Sequence, residues 1–291
     1  MAVDAHSGGK QPLRLVELLD KDGAIEDRGV DKLVSAVQEA KDLSTNLKCE
    51  EFLAFATSAI RSATNSDDVL RRVEKKTGVD LRILTGEEEA RLTFLAARRW
   101  HGWSAGRITN IDIGGGSLEM STGTEETPDL AVSLDLGAGR LTHQWFDTDP
   151  PERKKINLLR DFIDAELAAP AEQFRALGGS GLAVGTSKTL RTLARLTGAA
   201  PSSAGPFVKR TLTAPGLRQL IAFISRMTAA DRAELEGINA DRSHQIVAGA
   251  LVAEAAMRAL NIDKLEICPW ALREGVILRW IDQGPNYEGE S

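Results

Sequence analysis

The chain has 291 residues, a formal net charge of −6 and an ordinary apolar fraction of 42%. This length predicts two domains rather than one core, and the acidic charge argues against a nucleic-acid-binding surface. With only two cysteines, Cys49 and Cys268, and no apolar run near the roughly 20 residues that span a bilayer, we expect a cytoplasmic protein without disulfides or membrane spans.

Helical and strand-like periods alternate through the first hundred residues, which is typical of an α/β unit. The predicted elements are a helix over 30–47, the strand FLAFAT, a helix over 66–76, the strand LRIL and a helix over 85–100. These elements form two successive strand–helix repeats.

The pattern changes after residue 102, where three short strands, RITNIDI, SLEMST and LAVSLDL, are separated by glycine or proline turns. An antiparallel meander is predicted there. We place the domain boundary near Ser104, which gives domains 1–104 and 105–291. The rest is mainly helical, with helices over 151–167, 215–227, 243–260 and 272–281, the strand KLEIC and the strand–turn–helix LAVGTSKTLRTLARL.

The stretch NIDIGGGSLEM places three consecutive glycines, Gly114, Gly115 and Gly116, between two strands. Glycines suit a backbone that turns tightly or is approached closely, although a bare run of three is most often only a β-turn. The turn leads into a strand and no Gly-Lys-Ser/Thr follows, so it is neither a dinucleotide fingerprint nor a P-loop.

Acidic residues flank this turn. Strand alternation puts Asp112 on the face opposite the neighbouring isoleucines, so we expect it to look out of the core. Successive amides of the glycines can converge on an anion, and the carboxylates of Asp112 and Glu119 can hold a divalent cation, such as Mg²⁺ or Mn²⁺, beside it. The pattern suits phosphoryl chemistry.

Two charged residues elsewhere fit the same chemistry. In TGEEEARL, Thr85 and Glu88 have capping-box spacing, which leaves Glu89 free for catalysis. Arg61 follows the strand FLAFAT, at the end of a sheet where ligands of α/β proteins bind. A solvated surface arginine explains Arg61 equally well.

The turn in VGTSKTL offers Thr186 and Ser187 at the start of a helix, where backbone N–H groups bind phosphate. Ordinary capping of that helix by either hydroxyl is the simpler explanation.

These residues belong to a longer series of motifs. The blocks ATSAIRSATN, LTGEEEARLTF, IDIGGGSLEM, LGAGRLT, VAGALVAEAAM and LREGVI resemble those of the exopolyphosphatase and guanosine pentaphosphate phosphohydrolase family, in the family's order. That family belongs to the sugar kinase, Hsp70 and actin superfamily. The resemblance implies an α/β protein of two ribonuclease-H-like domains with the active site in the cleft between them, and a possible homodimer.

The resemblance also implies residue roles. Glu89 activates the attacking water, Arg61 contacts phosphate, the loop amides from Gly114 to Ser117 bind phosphate, and Asp112 and Glu119 lie near the metal. The expected activity is release of terminal phosphate from inorganic polyphosphate or guanosine pentaphosphate. A catalytically weak module that binds these compounds, and a kinase of the same superfamily, are the alternatives.

One family feature has no counterpart in this sequence. Members of the family open with a strand and a phosphate loop, Asp-x-Gly-Ser-Asn or -Thr, and their next strand resembles VDAHSGG, which begins here at Val3. We therefore expect the first strand and half of the phosphate clamp to be missing from the 291 residues, with weaker activity as the result.

Overall fold

The computed structural model describes residue 13, residues 15–179 and residues 181–284, so the strand expected near Val3 lies outside the described residues. The chain divides into two compact units, Met1–Thr85 and Gly86–Ser291. This division falls earlier in the chain than the boundary expected near Ser104.

The described residues of the first unit form a short parallel sheet and three α-helices. Its elements are α1 (Asp27–Asn46), β1 (Phe55–Ala56), α2 (Ser58–Arg61), α3 (Ser66–Thr77) and β2 (Arg82–Ile83). β1 pairs with β2 in parallel, with Phe55 opposite Arg82. In α1, Val30, Leu33 and Val37 are buried at helical spacing, and α3 ends at Gly78, whose φ of 64° suits a glycine cap.

The described residues of the second unit form one six-stranded sheet. Its strands are β3 (Ile108–Ile113), β4 (Leu118–Gly123), β5 (Leu130–Leu134), β6 (Leu182–Gly185), β7 (Thr211–Thr213) and β8 (Lys264–Ile267). Their order across the sheet is β5-β4-β3-β6-β8-β7. β3, β4 and β5 form the predicted antiparallel meander, whereas β6 pairs in parallel with β3 and β8.

The described residues of the second unit also form eight α-helices. They are α4 (Gly86–His101), α5 (Ala138–Trp145), α6 (Arg153–Ala176), α7 (Lys188–Leu196), α8 (Ala214–Ile224), α9 (Ala229–Ala233), α10 (Ile246–Ala259) and α11 (Leu272–Gln283). A 3₁₀ segment, Ala240–Gln245, precedes α10. None of the described helices is both long and apolar enough to cross a membrane.

Helix α4 belongs to the second unit because it packs on that unit's sheet. It contacts β3, β4, β5 and α11, and Gly275 of α11 approaches so closely that a Cβ there would lie 1.9 Å from the Leu92 carbonyl oxygen. Phe94 and Leu95 of α4 are fully buried. The change of sequence pattern after residue 102 therefore follows the first helix of the second unit instead of preceding it.

The sequence missed four short elements, α2, α5, α9 and β7. Each has eight residues or fewer, too few for a periodic pattern to distinguish it from a loop. The helix expected over 243–260 begins as the 3₁₀ segment and becomes α-helical at Ile246. The helix expected over 151–167 continues to Ala176 through Pro170.

Candidate active site

The turn between β3 and β4 brings the two acidic residues of the glycine stretch together. In this antiparallel pair Asp112 lies opposite Glu119, and the Gly114 amide donates to the Ser117 carbonyl at 2.9 Å to close the turn. Directly opposed residues carry their side chains on the same face of a sheet. The tip of the hairpin therefore holds two neighbouring carboxyl groups.

The first residues of α5 bind all three glycine carbonyls. The Ala138 amide donates to the Gly114 carbonyl at 3.0 Å. Arg140 donates twice, from its amide to the Gly115 carbonyl at 2.9 Å and from Nε to the Gly116 carbonyl at 2.8 Å. In a trans peptide the C=O of one residue and the N–H of the next point in opposite directions. The amides that follow these carbonyls therefore face away from α5.

Three successive amides are presented in this way, those of Gly115, Gly116 and Ser117. Within the described residues none of them donates a backbone hydrogen bond. Successive N–H groups on one side of a turn form an anion-binding concavity. The Gly114 amide, which the sequence had included in this set, is used inside the turn.

Steric contacts explain the glycines around this turn. Neither Gly114 nor Gly115 has a positive φ, so the turn does not need left-handed backbone there. A Cβ on Gly137 would lie 2.2 Å from the Gly116 carbonyl carbon, and one on Gly139 would lie 3.1 Å from the Gly115 carbonyl oxygen. A Cβ on Gly115 itself would meet no atom within 4 Å. Gly115 thus borders open space while the other side of the turn is tightly packed.

The sheet face that carries Asp112 is covered. Ile108 and Asn110 share this face and are fully buried, because α4 packs across β3 and β4. The Asp112 side chain does lie on the face of β3 opposite the side chains of Ile111 and Ile113, but it is partly buried. The expectation that Asp112 looks out of the core was therefore only half right, since the second face of the strand also belongs to the interior.

Glu119 lies in a buried, negatively charged environment. Ser133 Oγ donates to its Oε1 at 2.9 Å. Burial raises the pKa of Glu119 to about 8, the negative charges of Glu89 and Asp112 contribute to the increase, and hydrogen bonds from Ser117 and Ser133 oppose it. Glu89, in the first turn of α4, is only 7% exposed. The structure thus brings Glu89 and the two hairpin carboxylates into one electrostatic cluster.

Thr186, the residue after strand β6, adds a hydroxyl to this cluster. The Thr186 amide donates to the Ile111 carbonyl at 3.2 Å, and Thr186 Oγ1 donates to Asp112 Oδ2 at 2.6 Å. Ser187 Oγ accepts from the Leu190 amide at 3.1 Å and caps α7. Ser187 is therefore the helix cap that the sequence favoured, whereas Thr186 contacts the Asp112 carboxylate.

Two arginines that sequence reasoning missed face the same carboxylate. Burial raises the pKa of Asp112, while its Thr186 hydrogen bond and the charges of Arg191 and Arg242 lower it. Arg191 lies one helical turn after Ser187, so the strand–turn–helix pattern offered a signal for it. Arg242 belongs to the 3₁₀ segment, whose sequence ADRSHQ has no phosphate-loop pattern.

The donor set favours Mg²⁺ over softer metals. No group of three or more His, Cys, Asp or Glu residues is arranged to hold a metal ion among the described residues. Mg²⁺ is commonly bound by one or two carboxylates together with water and substrate phosphates. The adjacent oxygen ligands of Asp112 and Glu119 fit that pattern.

Arg61 lies in the first unit. Its helix, α2, directly follows β1, and its Nη1 donates to the Leu84 carbonyl at 2.6 Å. Leu84 follows β2, the parallel neighbour of β1. Arg61 is thus anchored at the carboxyl end of this small sheet, as the sequence indicated.

Comparison with known proteins identifies the family. The sequence profile of the Ppx/GppA phosphatase family matches residues 6–284. Exopolyphosphatase 1 of Mycobacterium tuberculosis is 63% identical over 290 residues, covering 97% of this chain and 84% of that protein. Exopolyphosphatase 1 of Mycobacterium leprae is 60% identical, covering 97% of this chain and 86% of that protein. The chain belongs to the Ppx/GppA phosphatase family and is a phosphoanhydride hydrolase, as the sequence predicted.

Solved structures agree on the fold. The Ppx/GppA family member of Aquifex aeolicus superimposes with a TM-score of 0.74 at 25% identity, over 95% of this chain and 88% of that chain. An exopolyphosphatase from Cytophaga hutchinsonii gives a TM-score of 0.81 at 20% identity, over 89% of this chain and 84% of that chain. The predicted α/β fold of the ribonuclease-H-like class is confirmed.

Substitution of Gly115 tests the anion-binding turn. Gly115→Val should fold, because its Cβ enters open space and its φ is not left-handed, but the branched side chain should cover the neighbouring amides. Loss of one hydrogen bond to a charged group lowers affinity about 10-fold or more. Calorimetric titration with polyphosphate and thermal denaturation measure the two effects. Gly137→Ala is the contrast, because its Cβ meets the turn backbone and both stability and binding should fall.

The result that would contradict this assignment is wild-type affinity in a folded Gly115→Val protein. The glycines would then form a plain turn.

The pH dependence of stability tests the carboxyl cluster. The folded-state pKa of Glu119 lies above its ordinary value of 4.5. The stabilisation that the protonated Glu119 side chain gives to the metal-free folded protein is therefore fully present below pH 4.5. It is lost as the pH rises from 4.5 through about 8. The melting temperature of metal-free protein should fall over this interval, and Glu119→Gln should flatten the fall. Mg²⁺ should raise the melting temperature most at the alkaline end, where it replaces the proton. Equal slopes for wild type and Glu119→Gln would remove Glu119 from this role.

Proposed function

We propose that this phosphohydrolase is a magnesium-dependent exopolyphosphatase that removes the terminal phosphate of inorganic polyphosphate. The observation that carries the proposal is the juxtaposition, at the tip of the β3–β4 hairpin, of three outward-facing amides with a buried carboxylate cluster. Terminal phosphate oxygens are the natural ligands of the amides, and the carboxylates provide a metal site and a base. The names of the relatives from Mycobacterium support polyphosphate as the substrate class.

The terminal phosphate binds first to the amides of Gly115, Gly116 and Ser117. Arg191 and Arg242, whose charges reach Asp112, balance negative charge on the phosphates. Helix α7 begins two residues after Thr186, which touches Asp112, so the positive end of its dipole also lies at this site. Arg61 is proposed as a further phosphate ligand, because a guanidinium at the carboxyl end of a sheet suits phosphate oxygens.

Hydrolysis then needs an aligned water and a base. Glu89 accepts a proton as the water oxygen attacks the terminal phosphorus. The bond between that phosphorus and the bridging oxygen breaks, and the bridging oxygen leaves on the shortened chain. Glu89 is close enough to Glu119 for their charges to interact, which supports its assignment as the base beside the proposed metal site.

Asp112 and Glu119 would hold Mg²⁺. Bound there, Mg²⁺ supplies charge neutralisation to the phosphate oxygens. Thr186 orients Asp112 through its 2.6 Å hydrogen bond, and Ser133 does the same for Glu119. Both hydroxyls fix carboxylate orientation, as residues that support metal ligands commonly do.

The assignment of Glu89 is tested by Glu89→Gln. Removal of a general base lowers the rate about 10²- to 10⁴-fold, whereas polyphosphate binding should stay within a few-fold because Glu89 is not among the phosphate-binding groups. Phosphate release measured with malachite green, and calorimetric binding at the same Mg²⁺ concentration, separate the two. Glu87→Gln is the matched control on the same helical turn, since the Glu87 side chain is 65% exposed; its rate should equal that of wild type.

Unchanged turnover in Glu89→Gln would eliminate Glu89 as the base. If the wild-type chain binds polyphosphate but releases no phosphate, it is a binding module instead. A parallel assay with guanosine pentaphosphate shows which of the two phosphoanhydride substrates it prefers.

The metal assignment is tested by Asp112→Asn. This change removes one negative metal ligand and leaves the amides in place, so the Mg²⁺ concentration for half-maximal rate should rise. Binding of polyphosphate without metal should persist. Asp129→Asn is the control, because Asp129 follows the opposite end of the hairpin and pairs with Arg107 at 2.7 Å. An unaltered Mg²⁺ requirement in Asp112→Asn would place the metal elsewhere.

A further inference from the structure

A buried arginine links four segments of the second unit that are distant in sequence. Arg232, in α9, is 1% exposed. Its Nη1 donates to the carbonyls of Ile224 and Met227 at 3.2 and 2.8 Å, at and just after the end of α8. Its Nη2 donates to Asp149 Oδ1 at 2.9 Å, in the loop before α6, and its Nε donates to the Ser243 carbonyl at 3.0 Å.

The carboxylate of Asp149 completes this anchor. Its Oδ2 accepts from the Ala229 amide at 2.6 Å, so the same carboxylate holds both the start and the middle of α9. Burial lowers the pKa of Arg232 and the charge of Asp149 opposes that effect. A buried guanidinium whose three nitrogens each donate to an acceptor is held in one orientation. The four segments are therefore held in fixed register.

The bond to Ser243 connects the anchor with the site, because Ser243 adjoins Arg242. The Arg242 amide donates to the Asn239 carbonyl at 2.8 Å, and the Asn239 side chain accepts from the Asp241 amide at 2.9 Å. The 3₁₀ segment is thus closed at its start by Asn239 and held from outside by Arg232. Among the described residues, the Arg242 guanidinium donates no hydrogen bond that would orient it independently.

The far end of the segment lies against the glycine turn. The Gln245 side-chain oxygen is 2.7 Å from the position a Cβ would take on Gly139, and Gly139 packs on the Gly115 carbonyl. The segment between Arg232 and the turn therefore has little freedom to shift. A displacement of the Ser243 carbonyl would move Arg242 relative to Asp112.

We infer that Arg232, together with Asp149, is a positioning residue that holds the Ala240–Gln245 segment so that Arg242 meets the phosphate. The inference rests on the proposed function, because Arg242 is a phosphate ligand only within it. Lysine cannot replace Arg232, since a single ammonium nitrogen lacks both the planar fork and the Nε donor. Arg232→Lys should therefore keep the charge and lose the bond to Ser243.

The test is a double-mutant cycle between Arg232→Lys and Arg242→Ala, with kcat and KM measured for polyphosphate. Misplacement of a substrate-binding group by a remote change costs up to about 100-fold, so Arg232→Lys should lower kcat/KM roughly 10- to 100-fold. If Arg232 acts through Arg242, the double variant should be no slower than Arg242→Ala alone. Melting temperatures and circular dichroism establish that each variant is folded.

Arg98→Lys is the matched control. Arg98 is also 1% exposed and donates to three backbone carbonyls, those of Gly102, Gly106 and Gly123, near the end of the hairpin remote from Asp112. Arg98→Lys should lower the melting temperature without lowering kcat/KM.

Should Arg232→Lys fail to fold, the cycle is run with Asp149→Asn, which retains side-chain volume at a position that is 46% exposed.

Multiplicative losses in the double variant would overturn the inference, because Arg232 would then act independently of Arg242. Full activity of folded Arg232→Lys would overturn it as well. If Arg242→Ala is as active as wild type, the segment carries no group to be positioned and the inference fails. Continued phosphate release by wild type would in that case leave the proposed function intact.

Discussion

The hydrogen bonds from α5 to the carbonyls of the glycine turn determine the arrangement of the site. A turn of three glycines has many accessible conformations, and only some of them present successive N–H groups in the same direction. Ala138 and Arg140 remove that freedom by binding the carbonyls of Gly114, Gly115 and Gly116. The direction of the amides is therefore fixed in advance, and the phosphate binding proposed for them would not require the turn to be ordered.

Burial of the carboxylates creates an acidic cluster whose charge a bound cation would offset. Asp112 and Glu119 are adjacent on a sheet face that α4 covers, and the charge of Glu89 reaches Glu119. Two serine hydroxyls and one threonine hydroxyl stabilise the ionised forms only in part, since burial still raises both pKa values. A divalent cation bound there would remove the remaining repulsion, and the phosphates that accompany it would be attracted to the amides and to Arg191 and Arg242.

The sequence predicted the parts of this site whose signals are local. The glycine turn, its flanking carboxylates and the strand–turn–helix at Thr186 all follow from alternation and turn composition, and the antiparallel meander has the predicted order. Arg191 and Arg242 could not be assigned, because their approach to Asp112 depends on the packing of α7 against β3 and of the 3₁₀ segment against α5 and α10. The face of Asp112 was misjudged for a similar reason. Strand periodicity separates the two faces of β3 but does not show that α4 covers the second.

Buried arginines that donate to backbone carbonyls recur through the second unit. Arg98 binds carbonyls beside the hairpin, Arg210 binds those of Ala200, Pro201, Gly205 and Val208, and Arg232 binds those around α9. Each fixes a connecting segment with few regular hydrogen bonds of its own. Arg140 does the same at the glycine turn, where its Nε binds the Gly116 carbonyl. An arginine fork reaches carbonyls in several directions from one side chain, so it can fix an irregular segment that no sheet or helix continues. The same type of contact thus holds the amides of the glycine turn and the segment that carries Arg242.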